Sequence, residues 1–514
     1  MQAVTTQPGA AQGSLFAGEL RSFQLPRPGA DRIGVVDVGS NSVRMVIFEG
    51  GRRCPAMVFN EKALCGLGSD LNRTGRLNPE GRLRTLRALK RFVALAPGLH
   101  VGALAGVATA AIREAEDGPE FRDEIEQETG IRLTIASGAD EGRLAAQGVL
   151  FGDPDARGLV IDLGGASMEL CPVERGRPGT GVTTPLGPQR LGETAGREDA
   201  IRRQIDRVMG REAVRFTRPV ERLFLVGGAW RALGRVQIAL SGHPMSVLHE
   251  FTFSAKEAIA LAGHVLSLDR DALTSVPGMP SGRIDSVPHA ALLLERLARH
   301  FEPEQGFSLS GFGLREGVCY AYLPPDTKIQ DPLLSTCKGQ EKTRARSYGF
   351  GKELATWLME VFDPDDAEEE RLIRAACHLV DVSWRAHPDY RTRACMEMVM
   401  RVNVSGAGHA GRAFIGACLL NRYKGGRKAM ASEPAMALLS ERRLERAVQI
   451  GAMMRLACTI SGAVPGYLPL CPLSVEDECL TLRPTPEASV FMGEEVEKRL
   501  GQAGRALGMD ARIA

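Results

Sequence analysis

Two short segments of this chain carry the residue types that phosphate chemistry needs. Ile33-Gly-Val-Val-Asp37-Val-Gly39-Ser40-Asn41-Ser42 and Leu159-Val-Ile-Asp162-Leu-Gly164-Gly165-Ala166-Ser167 share one grammar: a β-prone run, an Asp, one apolar residue, a Gly and a small polar turn. A tight turn of Gly, Ser and Asn offers backbone N–H groups and hydroxyls in a curve, and such curves hold anions. Two of them facing each other would grip a phosphate chain from both sides. Asp37 and Asp162 end their strands just before the tips, where a carboxylate can hold a magnesium ion or its waters. Glu169 follows Asp162 on the returning strand, placed to face the same cleft. A single Asp-x-Gly is more often the start of an Asx turn. The repeated pattern favours a ligand site and makes an internal duplication the economical reading.

The elements around these tips alternate between strand and helix from Ile33 to about Leu323. Ile33–Val38, Val43–Phe48, Ala56–Asn60, Val101–Val107 and Leu133–Ala136 are β-prone runs, with Gly50-Gly51 at the second turn. Asn78-Pro79-Glu80 opens a helix, with Leu83, Leu86, Leu89, Phe92 and Val93 on its apolar face. Leu159–Leu163, Met168–Val173 and Gly181–Leu186 repeat the strand pattern, with a turn over Arg175–Gly179. Pro324-Pro325 and the polar stretch to Ser347 suggest a linker. Beyond it, Glu368–Arg385, Arg391–Val402, His409–Tyr423, Glu441–Ser461 and Glu487–Leu507 have helical periodicity and few strand signals. The expected organisation is a loose tail over 1–30, two α/β domains over 31–137 and 138–325, a linker over 326–347 and a mainly helical domain over 348–514.

At 514 residues, 44% hydrophobic and 25% charged, the chain has the composition of a soluble globular protein with more than one core. No run of about 18 apolar residues suggests a membrane span. The N-terminal stretch lacks the basic start and apolar run of a secretory signal. Eleven scattered cysteines with no C-x-x-C pair argue for reduced thiols and a cytoplasmic location, not a disulfide framework or structural zinc. The formal charge of +2 hides an asymmetry: Ser383–Met430 holds nine Lys/Arg against two acids, 9 − 2 = +7. Clustered positive charge concentrates anionic ligands, and a solvated basic face is the equal alternative.

The resemblance becomes specific when five motifs are taken in order. Val35-Val-Asp37-Val-Gly-Ser-Asn-Ser-Val-Arg44, Val107-Ala-Thr109-Ala-Ala-Ile-Arg113, Ser137-Gly-Ala-Asp140-Glu141-Gly-Arg143, Val160-Ile-Asp162-Leu-Gly-Gly-Ala-Ser-Met-Glu169 and Ser310-Gly-Phe-Gly-Leu-Arg315-Glu together resemble the exopolyphosphatase / guanosine pentaphosphate phosphohydrolase family. The resemblance spans roughly residues 31–325, and the helical remainder is similar to the extension of its longer members. It implies an α/β fold: a duplicated actin-like core of the RNase H-like, sugar kinase/Hsp70/actin superfamily, plus a helical C-terminal domain on a degenerate HD-type scaffold. It implies Glu141 as general base, Asp162 and Glu169 with Asp37 as magnesium ligands, and Arg113 on phosphate. Gly39, Ser40, Asn41 and Ser42 would cradle one part of the substrate, and Gly164, Gly165, Ala166 and Ser167 another.

The implied reaction is magnesium-dependent removal of the terminal phosphate of inorganic polyphosphate. The alternative within the class is guanosine pentaphosphate to tetraphosphate, and outside it an actin-like ATP-dependent kinase, a filament former or a non-catalytic alarmone-binding regulator. Neither nucleic acid nor membrane is expected as a partner, and a homodimer is compatible with the resemblance. Three departures from the family pattern stand out. Ala166 replaces a frequent third glycine, which matters only if that position needs φ > 0. Asp140 replaces the first glutamate of a pair, which leaves open which acid is the base. Gly142 replaces an alanine and loosens the helix start. Val226-Gly227-Gly228-Ala229-Trp230 sits where actin-like kinases contact adenosine, but Gly-Gly after a strand also makes a plain tight turn. His378-x-x-Asp381, His387 and His409 hint at the HD scaffold, without the adjacent His-Asp pair that a working metal site needs.

Overall fold

The computed structural model describes residues 32–49, 53–193, 198–216, 219–401, 405–424 and 426–514. The expected tail over 1–30 and the Gly50-Gly51 turn lie outside the described residues. The chain divides into two compact units, one running to Gln237 and resuming over Thr252–Gln330, the other formed by Ile238–Phe251 and Asp331–Ala514.

The first unit holds two sheets. β1 (Arg32–Val38), β2 (Ser42–Glu49), β3 (Met57–Leu64), β4 (Val101–Ala108) and β5 (Leu133–Ile135) lie in the order β3-β2-β1-β4-β5. β6 (Gly158–Leu163), β7 (Met168–Glu174), β8 (Arg177–Pro178), β9 (Val182–Thr184), β10 (Leu223–Val226), β11 (Thr252–Phe253) and β12 (Phe307–Leu309) form the second, in the order β11-β12-β10-β6-β7-β8, with β9 also on β7. In each, an antiparallel hairpin (β1–β2, β6–β7) is extended on its other side by parallel strands (β4 and β5; β10 and β12). The duplication read from two motifs is therefore a duplication of topology, the actin-like arrangement.

Strand periodicity sends alternate residues to different cores. Val36 and Val38 of β1 pack with the helix Pro79–Leu95 in an outer core. Val35 instead joins Val46, Val160, Cys171 and Val173 in a core shared by the two sheets. The helices Gly138–Gly152 and Leu314–Tyr322 contribute Leu144, Leu150, Val318 and Tyr320 to that shared core. The two α/β halves expected as separate domains thus form one compact unit.

The second unit is mainly helical, with helices over Ala367–Leu379, Arg391–Arg401, Gly408–Tyr423 and Glu441–Ser461. Three features differ from expectation. The presumed linker is largely helix Pro332–Arg344: Asp331 caps it by accepting from Leu334 N at 2.8 Å, and Pro332 suits its first turn. Pro325 likewise starts a short helix, Pro325–Lys328. The expected helix Glu487–Leu507 divides into a 3-10 turn, Pro486–Phe491, and a helix, Glu494–Leu507. A small sheet of β13 (Leu473–Glu476), β14 (Cys479–Leu482) and β15 (Asp510–Ile513) also forms, from four-residue strands too short to show alternation.

Candidate active site

The charged residues of the two hairpins are register partners. Asp37 lies opposite Arg44 across β1–β2, Arg44 opposite Lys62 across β2–β3, and Asp162 opposite Glu169 across β6–β7. Partners directly opposite in an antiparallel pair share one face with Cβ atoms about 5 Å apart. That face is the inner one. Val35, Val46, Val160 and Cys171, each two residues away along the same strands, are buried in the core between the sheets. The hairpins differ in one respect: the first sets an acid opposite a base, the second an acid opposite an acid. Like charges held directly opposite repel, so the second hairpin needs a proton or a cation to settle.

A third acid comes from the helix Gly138–Gly152. Ser137 caps its start, and Asp140 closes a capping box by accepting from Ser137 N at 3.1 Å and Ser137 Oγ at 2.6 Å. Asp140 also pairs with Arg143 at 2.8 Å. Asp140 therefore builds the helix end, which leaves Glu141 as the acid available for chemistry. Arg113, at the end of the helix Ala110–Glu114, donates to the Glu141 carboxylate and to Ala136 O at 2.7 Å. Burial pushes the Glu141 carboxyl up to about 7, against the opposing pull of Arg113. Burial and then the charge of Glu141 push Asp162 up to about 7 as well. Glu169 is raised well above the usual carboxylate range by burial and by Glu141 and Asp162. The three acids share one poorly solvated space and oppose one another's ionisation.

The two tips are built alike. Gly39 N donates to Ser42 O at 3.1 Å, and Gly164 N to Ser167 O at 3.0 Å. The loops behind them bind the tip carbonyls: Gly68 N reaches Ser40 O at 2.9 Å, and Cys65 N reaches Asn41 O at 3.0 Å. On the second tip Gln189 N reaches Gly165 O at 2.9 Å and Gly187 N reaches Ala166 O at 3.2 Å. In a trans peptide the C=O and the next N–H point in opposite directions. Anchoring these four carbonyls therefore turns the N–H groups of Asn41, Ser42, Ala166 and Ser167 away from the anchoring loops. Ala166 is not among the described residues with left-handed backbone, so its methyl group carries no conformational penalty there. A Cβ on Gly165 would press on the Gln189 side chain, 3.0 Å from its Oε1.

A file of cations faces the same region. Arg315 Nη1 donates to Asp37 Oδ2 at 2.8 Å. Arg44, Lys62, Arg231 and Arg283 have no ion-pair partner among the described residues, and Arg44 Nε is buried without an acceptor. Burial and repulsion from Arg315 lower Arg231 to about 10. Burial, then Arg283, Arg44 and Arg315, pull the Lys62 ammonium below its ordinary range. These groups feel one another; Glu316, Asp37 and Asp162 offset part of the charge on Arg44 and Arg231, yet none of the four makes an ion pair among the described residues. Such a site selects an anion.

Two of the expected site residues meet protein partners in this structure. Asp37, expected as a metal ligand, is engaged by Arg315, and Arg113, expected on phosphate, is engaged by Glu141 and Ala136. Among the described residues no three His, Cys, Asp or Glu side chains stand close enough to hold a metal ion alone. Asp162 and Glu169 still fit magnesium, because the buried Oε1 of Glu169 has no hydrogen-bond donor. Magnesium ordinarily takes one or two carboxylates, completing its shell with water and substrate phosphate. Gly227 serves the turn through its backbone, φ +127°, and a Cβ there would also meet Leu163 O at 2.6 Å, whereas a Cβ on Gly228 would press on the Arg283 side chain at 2.8 Å. In the helical unit His378 binds Glu341 at 2.7 Å, Asp381 binds Arg346 at 2.7 Å, His387 contacts Asp389 at 3.4 Å and His409 bonds His243 at 2.7 Å. The HD-like residues are all engaged by protein groups.

Sequence reading assigned no role to Arg44, Lys62, Arg231, Arg283 or Arg315. Arg44 and Arg315 stood inside quoted motifs, so a signal existed for them. Arg283 sits in the 3-10 segment Ser281–Ser286, with no local pattern to mark it.

With this geometry in place, residues 46–325 match the profile of the Ppx/GppA phosphatase family. The chain belongs to the Ppx/GppA phosphatase family. Residues 333–513 match the exopolyphosphatase C-terminal profile, which marks the longer form of the family. Exopolyphosphatase 1 of Mycobacterium tuberculosis is 30% identical over 163 residues, covering 31% of this chain and 47% of that protein. The match thus spans about half the length of that relative. Retrograde regulation protein 2 of Saccharomyces cerevisiae is 23% identical over 434 residues, 76% of this chain and 72% of that protein. The crystal structure of an exopolyphosphatase from Cytophaga hutchinsonii superposes with a TM-score of 0.51 at 25% identity, covering 56% of this chain and 96% of that one. The core is thus that of Ppx/GppA proteins, followed by the helical region. No helix among the described residues is long and apolar enough to cross a membrane.

Proposed function

We propose that this chain hydrolyses the terminal phosphoanhydride bond of inorganic polyphosphate in a magnesium-dependent reaction. The observation that carries the reading is the placement of Glu141, with its carboxyl raised to about 7, among Asp162, Glu169 and a file of unpaired cations. A carboxylate with that affinity for protons is a competent base near neutral pH. Relatives named exopolyphosphatase support the same substrate class.

In the proposed reaction the turned-out N–H groups of both tips bind the terminal phosphates. Arg44, Lys62, Arg231 and Arg283 hold the chain behind them. Glu141 takes a proton from a water that attacks the terminal phosphorus. The P–O bond to the bridging oxygen breaks, releasing orthophosphate, and the shortened chain keeps the bridging oxygen as its new terminal anion. Arg113 holds Glu141 in place and, once Glu141 is protonated, is freer to meet phosphate. Asp162 and Glu169 would hold magnesium, which would supply charge neutralisation for the phosphoryl oxygens, the main demand of phosphoryl transfer.

Guanosine pentaphosphate is the competing substrate, because several cations without ion-pair partners also suit a molecule with two separate phosphate groups. The deciding experiment measures orthophosphate release with magnesium, comparing long polyphosphate with guanosine pentaphosphate at equal concentration. A higher kcat/KM for polyphosphate supports the reading; a higher value for the nucleotide transfers the assignment. Release from neither, with an ATP-dependent phosphorylation instead, removes it.

A further inference from the structure

The helical unit contains a cavity of about 1240 Å³ whose lining mixes apolar and charged groups. Met396, Met400, Leu420 and the Tyr423 ring are its apolar part. The ring is held in one orientation: its hydroxyl donates to Val380 O at 3.2 Å, and the Arg422 guanidinium lies 4.3 Å from its centroid. A fixed aromatic ring beside adaptable methionine side chains suits a flat, partly apolar guest. Lys424 and Lys428 also line the cavity; both are exposed, and neither has an ion pair among the described residues.

We propose that this cavity is a binding site for a nucleoside phosphate, separate from the catalytic cleft. Two observations select that class over a bare polyphosphate chain. Polyphosphate has no apolar part to cover the methionines and the tyrosine. In addition, Asp389, Glu397 and Glu433 belong to the lining; Arg393, also in the lining, offsets Glu397 at 3.4 Å, and the other two carboxylates would repel a uniform polyanion. For a nucleoside phosphate the same carboxylates accept hydrogen bonds from ring N–H groups or ribose hydroxyls, while the two lysines take the phosphates. The volume exceeds that of ordinary small-molecule pockets, so base, sugar and phosphates fit together with bridging water.

The test titrates the full chain calorimetrically with GDP, ADP and inorganic tripolyphosphate. A nucleotide is expected to bind with one-to-one stoichiometry at this site. Lys424→Ala/Lys428→Ala should weaken that binding about 10-fold or more, a change of about 1.4 kcal/mol. Thr392→Trp, which adds bulk to the lining and removes no charge, should abolish it. Tripolyphosphate should keep its affinity within about two-fold in both variants. Nucleotide affinity unchanged in both variants would place the nucleotide elsewhere and overturn the proposal. Absence of nucleotide binding to the parent protein at millimolar concentration would overturn it too. A parallel loss of tripolyphosphate would mean a general anion surface instead. The exposed lysines have no structural partner, so the double variant keeps the fold, checked by an unchanged melting temperature.

Discussion

At the scale of single residues, the difference between the two hairpins decides the chemistry. Asp37 faces Arg44, whereas Asp162 faces Glu169, and only the second pair leaves a negative charge to be met from outside. Glu141→Gln is expected to lower kcat about 10²- to 10⁴-fold, the usual loss for a general base, while polyphosphate binding persists. Turnover within a few-fold of the parent would remove Glu141 from the mechanism. In the parent protein kcat/KM should rise with pH through about 7 as Glu141 loses its proton, and the glutamine variant should lack that limb. Asp162→Asn should raise the magnesium concentration needed for activity. It also carries a stability signature. The native Asp162 carboxyl, raised to about 7, holds a proton that the unfolded chain has already lost. Native stability from this group is therefore full at low pH and lost as pH rises through about 7. In magnesium-free buffer Asp162→Asn should raise the melting temperature at pH 8 by about 2 °C or more and change it little at pH 4. An equal shift at both pH values would show that the carboxyl is not held protonated by its surroundings.

The relevant elements are the two helices that carry Glu141 and Arg315. They cross at glycines: a Cβ on Gly317 would lie 1.8 Å from Leu144 O, and one on Gly148 would lie 2.3 Å from Gly313 O. No side chain fits at that crossing, so the backbones meet and the distance between the base and the Asp37–Arg315 pair is set by main-chain contact. Arg53, fully buried, holds the far end of the Glu141 helix by donating to Phe151 O at 2.7 Å and Leu150 O at 2.8 Å. Gly317→Ala should force the helices apart and lower kcat about 10- to 100-fold, since small misplacements of a base are costly. Measuring kcat and KM on protein shown to be folded checks this. A normal kcat would mean that the crossing serves stability alone. Gly142 belongs to the same logic: a Cβ there would approach Glu169 Cβ at 3.2 Å, so the glycine brings the helix close to the acidic strand.

For the whole molecule, the helical unit is not a simple appendage to the end of the chain. Ile238–Phe251 belongs to it, and Met245 is buried in its core. Ending the chain near Pro325 would strip that segment of its partners. Such a truncation is expected to aggregate or melt early, measured by sedimentation and calorimetry; a soluble monomer with the parent's melting behaviour would contradict this. Whether the basic span guides long polyphosphate is better tested by neutralising exposed cations. Arg385→Gln/Arg427→Gln should weaken long polyphosphate more than tripolyphosphate, because a second distant contact helps only a chain that can reach it. Equal effects on long and short substrates would leave the basic span as a solvated face.

Local sequence determined the parts whose cause is local. Both Asp-x-Gly hairpins, the capped helix starting at Pro79 and the helix Glu441–Ser461 follow from strand alternation, turn residues and caps within a few positions. The short strands β13 to β15 depend on distant pairing, whereas the helix Pro332–Arg344 has the same Asx-Pro start as the one at Pro79 but a polar composition that masks its periodicity. The acids of the site were legible, as they sit in repeated motifs. The Asp140 cap is local to Ser137, but tertiary structure alone decided that Glu141 meets Arg113 and that Arg315 takes Asp37. It alone gathered Lys62, Arg231 and Arg283 from a strand, a helix and a 3-10 turn. A carboxylate's proton affinity or a guanidinium's lack of a partner depends on what the fold packs around it, and neighbours far apart in sequence leave no mark in any local pattern.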